Sequence, residues 1–370
     1  MVKPAKLGSF SGRRSLREHR QGDEIRLHRS RLESTSAVSL LCARGNAARF
    51  PAEVRTPERS CSVLPSHRYN APMIAGKYQL LDFGNGRKLE SLGGYRIDRP
   101  CPAAYGKRPA GEAWPEVDAR FDAMSKSWHC ETPWPQDYRL DCGAFAMPVQ
   151  PTPFGHIGLF PEQRSNWRWL DEGVRSTVAN DANDAHVAND AHDAHDDQAT
   201  PRPFLGLNLF GYTGASSIAI ARAGGSAVHV DAAKPNVLAA RHAAVAEQVD
   251  QSIRFLTDDA RKFVARELRR KRRYDMIVLD PPAYGHGPSG KAWRLERDLW
   301  DLLDDCLRLL SGPKAALLVT GHSEQIGHRE IADWLREQVA GELDLQSDRS
   351  WLVDATDRRL DCGFYVRARW

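Results

Sequence analysis

Leu205-Gly-Leu-Asn-Leu-Phe-Gly-Tyr-Thr-Gly-Ala-Ser-Ser-Ile-Ala-Ile-Ala-Arg-Ala223 is the stretch on which the fold turns. Leu205 to Phe210 is an apolar run of strand length, Gly211 to Gly214 a tight turn, and Ala215 to Ala223 a helix of small residues. The same unit recurs downstream. Ser226 to Val230 is a second strand ending at Asp231, and a helix follows to about Ala246. Ser252 to Leu256 is a third strand before Asp258-Asp259, and Arg261 to Lys271 a basic helix. Tyr274 to Leu279 is a fourth strand stopped by Asp280-Pro281-Pro282, with a helix from Leu295 to Leu310. Ala315 to Thr320 is the fifth, followed by a helix from Ser323 to Val339. Continuous apolar strands alternating with helices predict an α/β domain over 201–370, its parallel sheet covered on both faces. The tail breaks the alternation. Ser350 to Val353 and Cys362 to Arg367 read as two strands without an intervening helix, closing as an antiparallel hairpin at the sheet edge.

Upstream the character differs. Tyr78 to Phe83 reads as a strand, Gly84-Asn85-Gly86 as a turn and Lys88 to Ile97 as a returning strand, with further β segments at Tyr138–Leu140 and Phe145–Val149. Trp114 to Trp134 looks irregular or weakly helical. Residues 73–155 are therefore predicted as a small β-rich domain that could position a substrate. Residues 174–200 are low in complexity, with His186, His192 and His195 spaced among Asn and Asp. They read as a solvated linker rather than a metal site, because nothing would pack to fix ligand geometry.

The chain has 370 residues, 41% of them hydrophobic, and a net charge of +4. Residues 1–70 hold 14 Lys/Arg against 6 Asp/Glu, a surplus of 8, so the remaining 300 carry −4. Residues 1–72 are predicted as a disordered basic tail. No apolar run approaches the ~18 residues of a membrane span. The seven cysteines form no Cys-x-x-Cys pair, which fits reduced thiols in a cytoplasmic protein rather than a disulfide framework or a zinc knuckle.

In open α/β sheets ligands lie beyond the carboxyl ends of the strands. Gly211 and Gly214 let the backbone approach a ligand, and the helix behind them presents free amides. Asp231, 17 residues beyond Gly214, can accept both hydroxyls of a ribose. Asp259 (or Asp258) can accept from an adenine amino group, with the backbone of Ala260 beside it. One adenosine-bearing ligand uses all three places. After strand four, Asp280, Pro281 and Pro282 offer a carboxylate and outward carbonyls to a planar amino group, and Tyr284 could stack on the same ring. These four residues are the candidate catalytic set.

Asn208-Leu-Phe-Gly-Tyr-Thr-Gly214, Asp231, Asp259 and Asp280-Pro-Pro-Ala-Tyr284 together resemble the motifs of the bacterial 23S ribosomal-RNA large-subunit methyltransferases and their relatives, over roughly 155–370. Gly158-Leu-Phe-Pro-Glu-Gln-Arg164 is similar to the stretch that lies over the cofactor in that family, which implies contacts from Phe160, Glu162 and Arg164 within a covering segment, 156–173. The resemblance implies a Rossmann-like seven-strand class I methyltransferase sheet and S-adenosylmethionine as cofactor. It also implies Asn208, Phe210, Gly211, Tyr212, Thr213, Gly214, Asp231, Ala232, Asp259, Ala260 and Asp280 as its binding residues, and ribosomal RNA as substrate.

Cytosine-C5 members of the family carry a cysteine after strand five, because carbon 5 becomes nucleophilic only when a thiolate adds at carbon 6. Here that place reads Thr320-Gly321-His322-Ser323, and Cys142, Cys306 and Cys362 fall in strand or helix segments as structural thiols. Methylation of an amino nitrogen is therefore expected over C5 chemistry, with His322 a candidate base. Arg269 to Arg273 is a candidate RNA contact. Two other readings stay open: an NAD-dependent oxidoreductase, which lacks the Gly-x-Gly-x-x-Gly spacing, and an inactive RNA-binding module on the same fold.

Overall fold

A computed structural model describes residues 76–190, 203–286, 292–310, 315–323 and 325–370. The tail predicted for 1–72 and the repeat beyond residue 190 lie outside the described residues. The parallel part of the sheet forms where the apolar runs predict it. Its strands, numbered along the whole chain, are β8 (Leu205–Leu209), β9 (Ser226–Asp231), β10 (Ile253–Thr257), β11 (Met276–Leu279) and β14 (Ala316–Gly321). Two long antiparallel strands, β15 (Asp344–Val353) and β16 (Arg359–Arg369), complete seven strands in the order β10-β9-β8-β11-β14-β16-β15. The order reverses between β8 and β11, so ligands are expected above these two strands. Helices α2 (Ala215–Arg222), α3 (Lys234–Ala246), α4 (Ala260–Arg269), α5 (Leu295–Leu309) and α6 (His328–Gln338) make the crossovers.

The upstream region is a five-stranded sheet of β1 (Tyr78–Gly84), β2 (Arg87–Leu92), β3 (Tyr95–Pro100), β4 (Ala119–Asp122) and β5 (Ser127–Cys130). The pair β6 (Arg139–Asp141) and β7 (Ala146–Pro148) lies beside it. Two expectations are corrected here. The single strand predicted for Lys88–Ile97 is a hairpin, because Gly93 (φ 57°) and Gly94 (φ 104°) turn the chain in left-handed conformations. The stretch Trp114–Trp134 carries β4 and β5, whose Phe121 and Trp128 are buried inward. The region is a separate β sheet, as expected, and its core is continuous with that of the large one. One apolar cluster runs from Leu92, Ile97 and Trp128 through Trp167 and Leu170 to Ile218 and Ile220 of α2.

The largest correction concerns the linker. Helix α1 spans Arg164–Asp190 without a break, absorbing residues read as a covering segment and the first part of the repeat. Trp167, Leu170 and Val174 are buried at helical spacing and anchor its first half. Asp171 and Arg175 pair at i,i+4 over 2.9 Å. Residues 174–190 contain neither Gly nor Pro, and their alanines propagate a helix that packing has already nucleated.

The hairpin β15–β16 outruns β14, whose register with β16 stops at Gly321↔Phe364. Its protruding end packs Leu352 and Leu360 against Leu80, Phe83, Cys101 and Ala104 of the upstream region. Arg358 at the tip bonds Asp82, Asp354 (2.8 Å) and the carbonyl of Arg108 (2.7 Å). The small sheet is thereby held over the carboxyl edge of the large one. Cys101, Cys142, Cys306 and Cys362 are free thiols. No helix among the described residues is long and apolar enough to cross a membrane, and no metal-holding cluster occurs among them.

Candidate active site

The loop after β8 holds two aromatic residues in the left-handed region, Phe210 (φ 57°) and Tyr212 (φ 49°), ahead of Gly214 (φ 92°). Such backbone persists only where neighbours over-determine it. Here they do. The Gly211 amide donates to the Val230 carbonyl (3.0 Å), the Tyr212 amide to Asp231 Oδ2 (2.9 Å), and the Thr213 hydroxyl to the Gly158 carbonyl (2.6 Å). The two glycines are demanded by protein rather than by ligand space. A Cβ on Gly211 would lie 2.5 Å from His229 Cε1, and one on Gly214 2.8 Å from Ala240 Cβ.

Two cavities adjoin at Phe210. The first is bounded by Phe160, Gln163 and Trp167 on one side and by Asn208, Gly211, Tyr212, Thr213, Asp280 and Thr320 on the other. The second is lined by Asp231, Ala232, Asp258, Asp259, Ala260, Pro282 and Trp293. Gly211, Asp231, Asp259 and Asp280, expected at four neighbouring strand tips, thus line two adjoining chambers.

Each carboxylate is held differently. Asp231 Oδ1 accepts from the Ala233 amide (2.8 Å) and Asn236 (3.1 Å); burial raises its pKa, and these donors only partly offset that. Asp259 caps α4, accepting from the Arg261 and Lys262 amides (3.0 and 3.2 Å). Its burial is outweighed by the Arg261 guanidinium and these amides, and its pKa is lowered. Asp259 therefore lines the second cavity with its carboxylate already engaged by the α4 amides and Arg261. Asp280 is raised by burial against the opposing effects of His322 and a hydrogen bond from Thr320.

Four predicted residues point elsewhere. Pro161–Gln163 is a 3₁₀ turn, so Phe160 and Gln163, three apart, share the cavity face. Glu162 and Arg164 face a separate wide cleft, where Arg164 bonds Asp141 (3.2 Å). Glu162 Oε1 lies 3.9 Å from His322 Nε2. Tyr284 is 48% exposed on a short hairpin and lines a surface depression, away from Asp280. Pro281 is buried and lines neither chamber. The carbonyls after Asp280 are not all without mates either, since Pro282 accepts from Trp293 Nε1 (2.6 Å) and Ala283 from the Leu295 amide (3.0 Å). Phe160, by contrast, packs on Tyr212 with ring centroids 5.5 Å apart.

Sequence reasoning missed Gln163, Trp167, Thr320 and Trp293. Gln163 and Thr320 sat inside quoted motifs, and the i,i+3 geometry of a Pro-initiated turn was the available signal for Gln163. Below the loop lies an unanticipated buried chain: Asn208 Nδ2 donates to Ser217 Oγ (2.9 Å), which is 3.1 Å from His229 Nδ1. His229 Nε2 has no partner, and burial pushes the imidazole pKa down to about 4.

Comparison with known proteins places this site in context. The chain is similar to an S-adenosylmethionine-dependent methyltransferase from Agrobacterium tumefaciens, with 30% identity over 81% of this chain and 94% of that one and a TM-score of 0.68. The fold is shared with a methyltransferase complexed with S-adenosylhomocysteine, at 16% identity, coverage of 79% and 75%, and a TM-score of 0.58. A Streptococcus mutans structure described as a methyltransferase of the same cofactor class also shares it, at 15% identity, the same coverage and a TM-score of 0.57. No family model matches the chain, and no curated protein does.

Proposed function

The chain belongs to the S-adenosylmethionine-dependent methyltransferases, and from that premise we propose that it methylates an exocyclic amino nitrogen of an RNA base, with ribosomal RNA the substrate class. Family membership removes the oxidoreductase reading, to which the Gly211-Tyr-Thr-Gly214 turn never had the right spacing. The nucleoside half of the cofactor is assigned to the second cavity, with Asp231 toward the ribose, and the methionine half to the first. S-adenosylmethionine supplies an electrophilic methyl carbon on a sulfonium. The chain's own work is alignment and charge management.

One observation carries the choice of nitrogen. Asp280 stands at the rim of the first cavity, while the tip of β14 beside it reads Thr320-Gly321-His322 and offers no thiol. A carboxylate is a hydrogen-bond acceptor that can orient an amino group and take up the proton the nitrogen sheds as the C–N bond forms. Thr320 holds it, and its pKa, raised by burial, suits it to that proton.

Support for RNA as the substrate comes from the wide cleft beside Glu162, which shares Trp167 with the first cavity and would hold the nucleotides flanking the target base. Arg164, Arg168, Arg349, Trp351 and Tyr365 line it, offering guanidinium planes and aromatic faces for stacking. Glu162, Asp171 and Asp348 in the same walls leave little net charge, which favours an unstacked base over backbone phosphates. The Arg269–Arg273 cluster does not serve this cleft. It lies at the far end of α4, roughly 15 Å from the strand tips by helical rise. Transfer of tritiated methyl from labelled cofactor into total RNA of a strain lacking the protein, followed by nucleoside chromatography, tests the proposal. The label should migrate as an N-methyl nucleoside; label in protein, or in 5-methylcytidine, would overturn it.

A further inference from the structure

The chain that leaves Asp280-Pro-Pro folds back as a small hairpin, β12 (Tyr284–His286) with β13 (Ala292–Arg294), in which Gly285 pairs with Trp293. Trp293 is 4% exposed and forms part of the wall of the second cavity. Its ring lies 5.0 Å from that of Phe210, in the strained loop after β8. Its indole N–H donates to the Pro282 carbonyl, in the loop after β11. The Arg261 guanidinium covers its ring at 5.6 Å, and also bonds Asp259 Oδ2 (3.2 Å) and Asp298 Oδ2 (3.0 Å). Asp298 in turn accepts from the Arg294 amide (2.9 Å), next to Trp293. One side chain therefore touches the loops after β8 and β11 directly and Asp259, in the loop after β10, through Arg261.

We propose that Trp293 is a positioning residue that ties the conformation of the acceptor loop, Asp280–Gly285, to occupancy of the second cavity. This rests on assigning that cavity to the nucleoside. A ligand there lies against the wall that Phe210 and the indole form together, and restricting the ring restricts the carbonyl its N–H holds. A buried indole N–H left unpaired is costly, so ring and carbonyl move together. The coupling works in both directions, so a loop held by Trp293 also presents the cavity in its binding form.

Hydrogen exchange on the full chain, read by mass spectrometry with and without S-adenosylhomocysteine, tests the inference. In the wild type the ligand should slow exchange of the Ala283–Gly285 amides at least 10-fold. Trp293→Phe keeps a ring but loses the donor. It should bind more weakly than wild type by calorimetry and, with the ligand at saturation, slow these amides less than 3-fold. Equal slowing in that variant, or none in the wild type, would overturn the proposal. Should Trp293→Phe not fold, the wild type still decides. 5′-Methylthioadenosine alone should slow the loop and homocysteine alone should not, and the reverse sinks the idea. Asp231→Asn separates the premise from the inference: if it binds S-adenosylhomocysteine as wild type does, the cavity assignment itself falls.

Discussion

Gly211 shows how tightly a single position can be specified. Its missing Cβ is space already taken by His229, so Gly211→Ala must displace either the imidazole or the loop that carries Phe210 and Tyr212. Overpacking of this kind costs about 1–3 kcal/mol. Stability to urea and affinity for S-adenosylhomocysteine should fall together, the latter by at least roughly 10-fold at the upper end of that range; a variant that unfolds earlier but binds normally would contradict this. His229 is a second residue with a measurable signature. Its folded pKa of about 4 lies below the ordinary value of 6.5. Between those two pH values the unfolded chain takes up this proton and the folded chain does not. Stability is therefore complete above pH 6.5 and declines as pH falls toward 4, by on the order of 3 kcal/mol in total. Urea titrations across that window should show a shallower slope for His229→Gln than for wild type, and identical slopes would refute the assignment. Asp231, Asp259 and Asp280 could be placed from sequence because an acid at a parallel strand's end has few places to go. What each acid bonds could not. Asp259 is spent on a helix cap, and only the α4 amides reveal it.

At the scale of elements, legibility followed length and repetition. The five parallel strands read directly as apolar runs, since burial on both faces leaves no alternation to misread. Strands of three or four residues, such as β4, β5, β12 and β13, are too short for any period to emerge, and their burial comes from partners distant in sequence. Helix α1 is the instructive failure. Its Asn-Asp-Ala repeat carries no amphipathic signal, and it is helical because Trp167, Leu170 and Val174 fix the turns that precede it. Leu170, with no exposed surface, sits in the cluster shared by both sheets. Leu170→Ala should cost about 2–5 kcal/mol in urea denaturation, and far-ultraviolet circular dichroism near the midpoint should show helix and sheet lost in one transition. Helix loss preceding sheet loss would mean that α1 is not part of the common core.

Across the whole molecule, the main feature beyond the reach of sequence was the way the small sheet joins the large one. Arg358 and Asp82 lie 276 positions apart, and nothing local in either segment announces their contact. The α/β class and the antiparallel ending were legible because they depend on patterns within segments. The roof over the strand tips depends on a pairing between segments, which no periodicity encodes.

The distribution of sulfur has a practical corollary. Cys101, Cys142 and Cys306 are buried and Cys362 is half-buried. Burial pushes the Cys142 thiol up to about 12, and those of Cys306 and Cys362 further still. A thiol so reluctant to ionise is a poor attacking group at neutral pH. RNA bearing 5-fluorocytosine, which captures thiolate-using enzymes as stalled adducts, should leave this protein at its native mobility on a denaturing gel, and a slower covalent band would restore carbon-5 chemistry. Suicide substrates of that kind would therefore pass this enzyme by while capturing thiolate-using enzymes in the same extract.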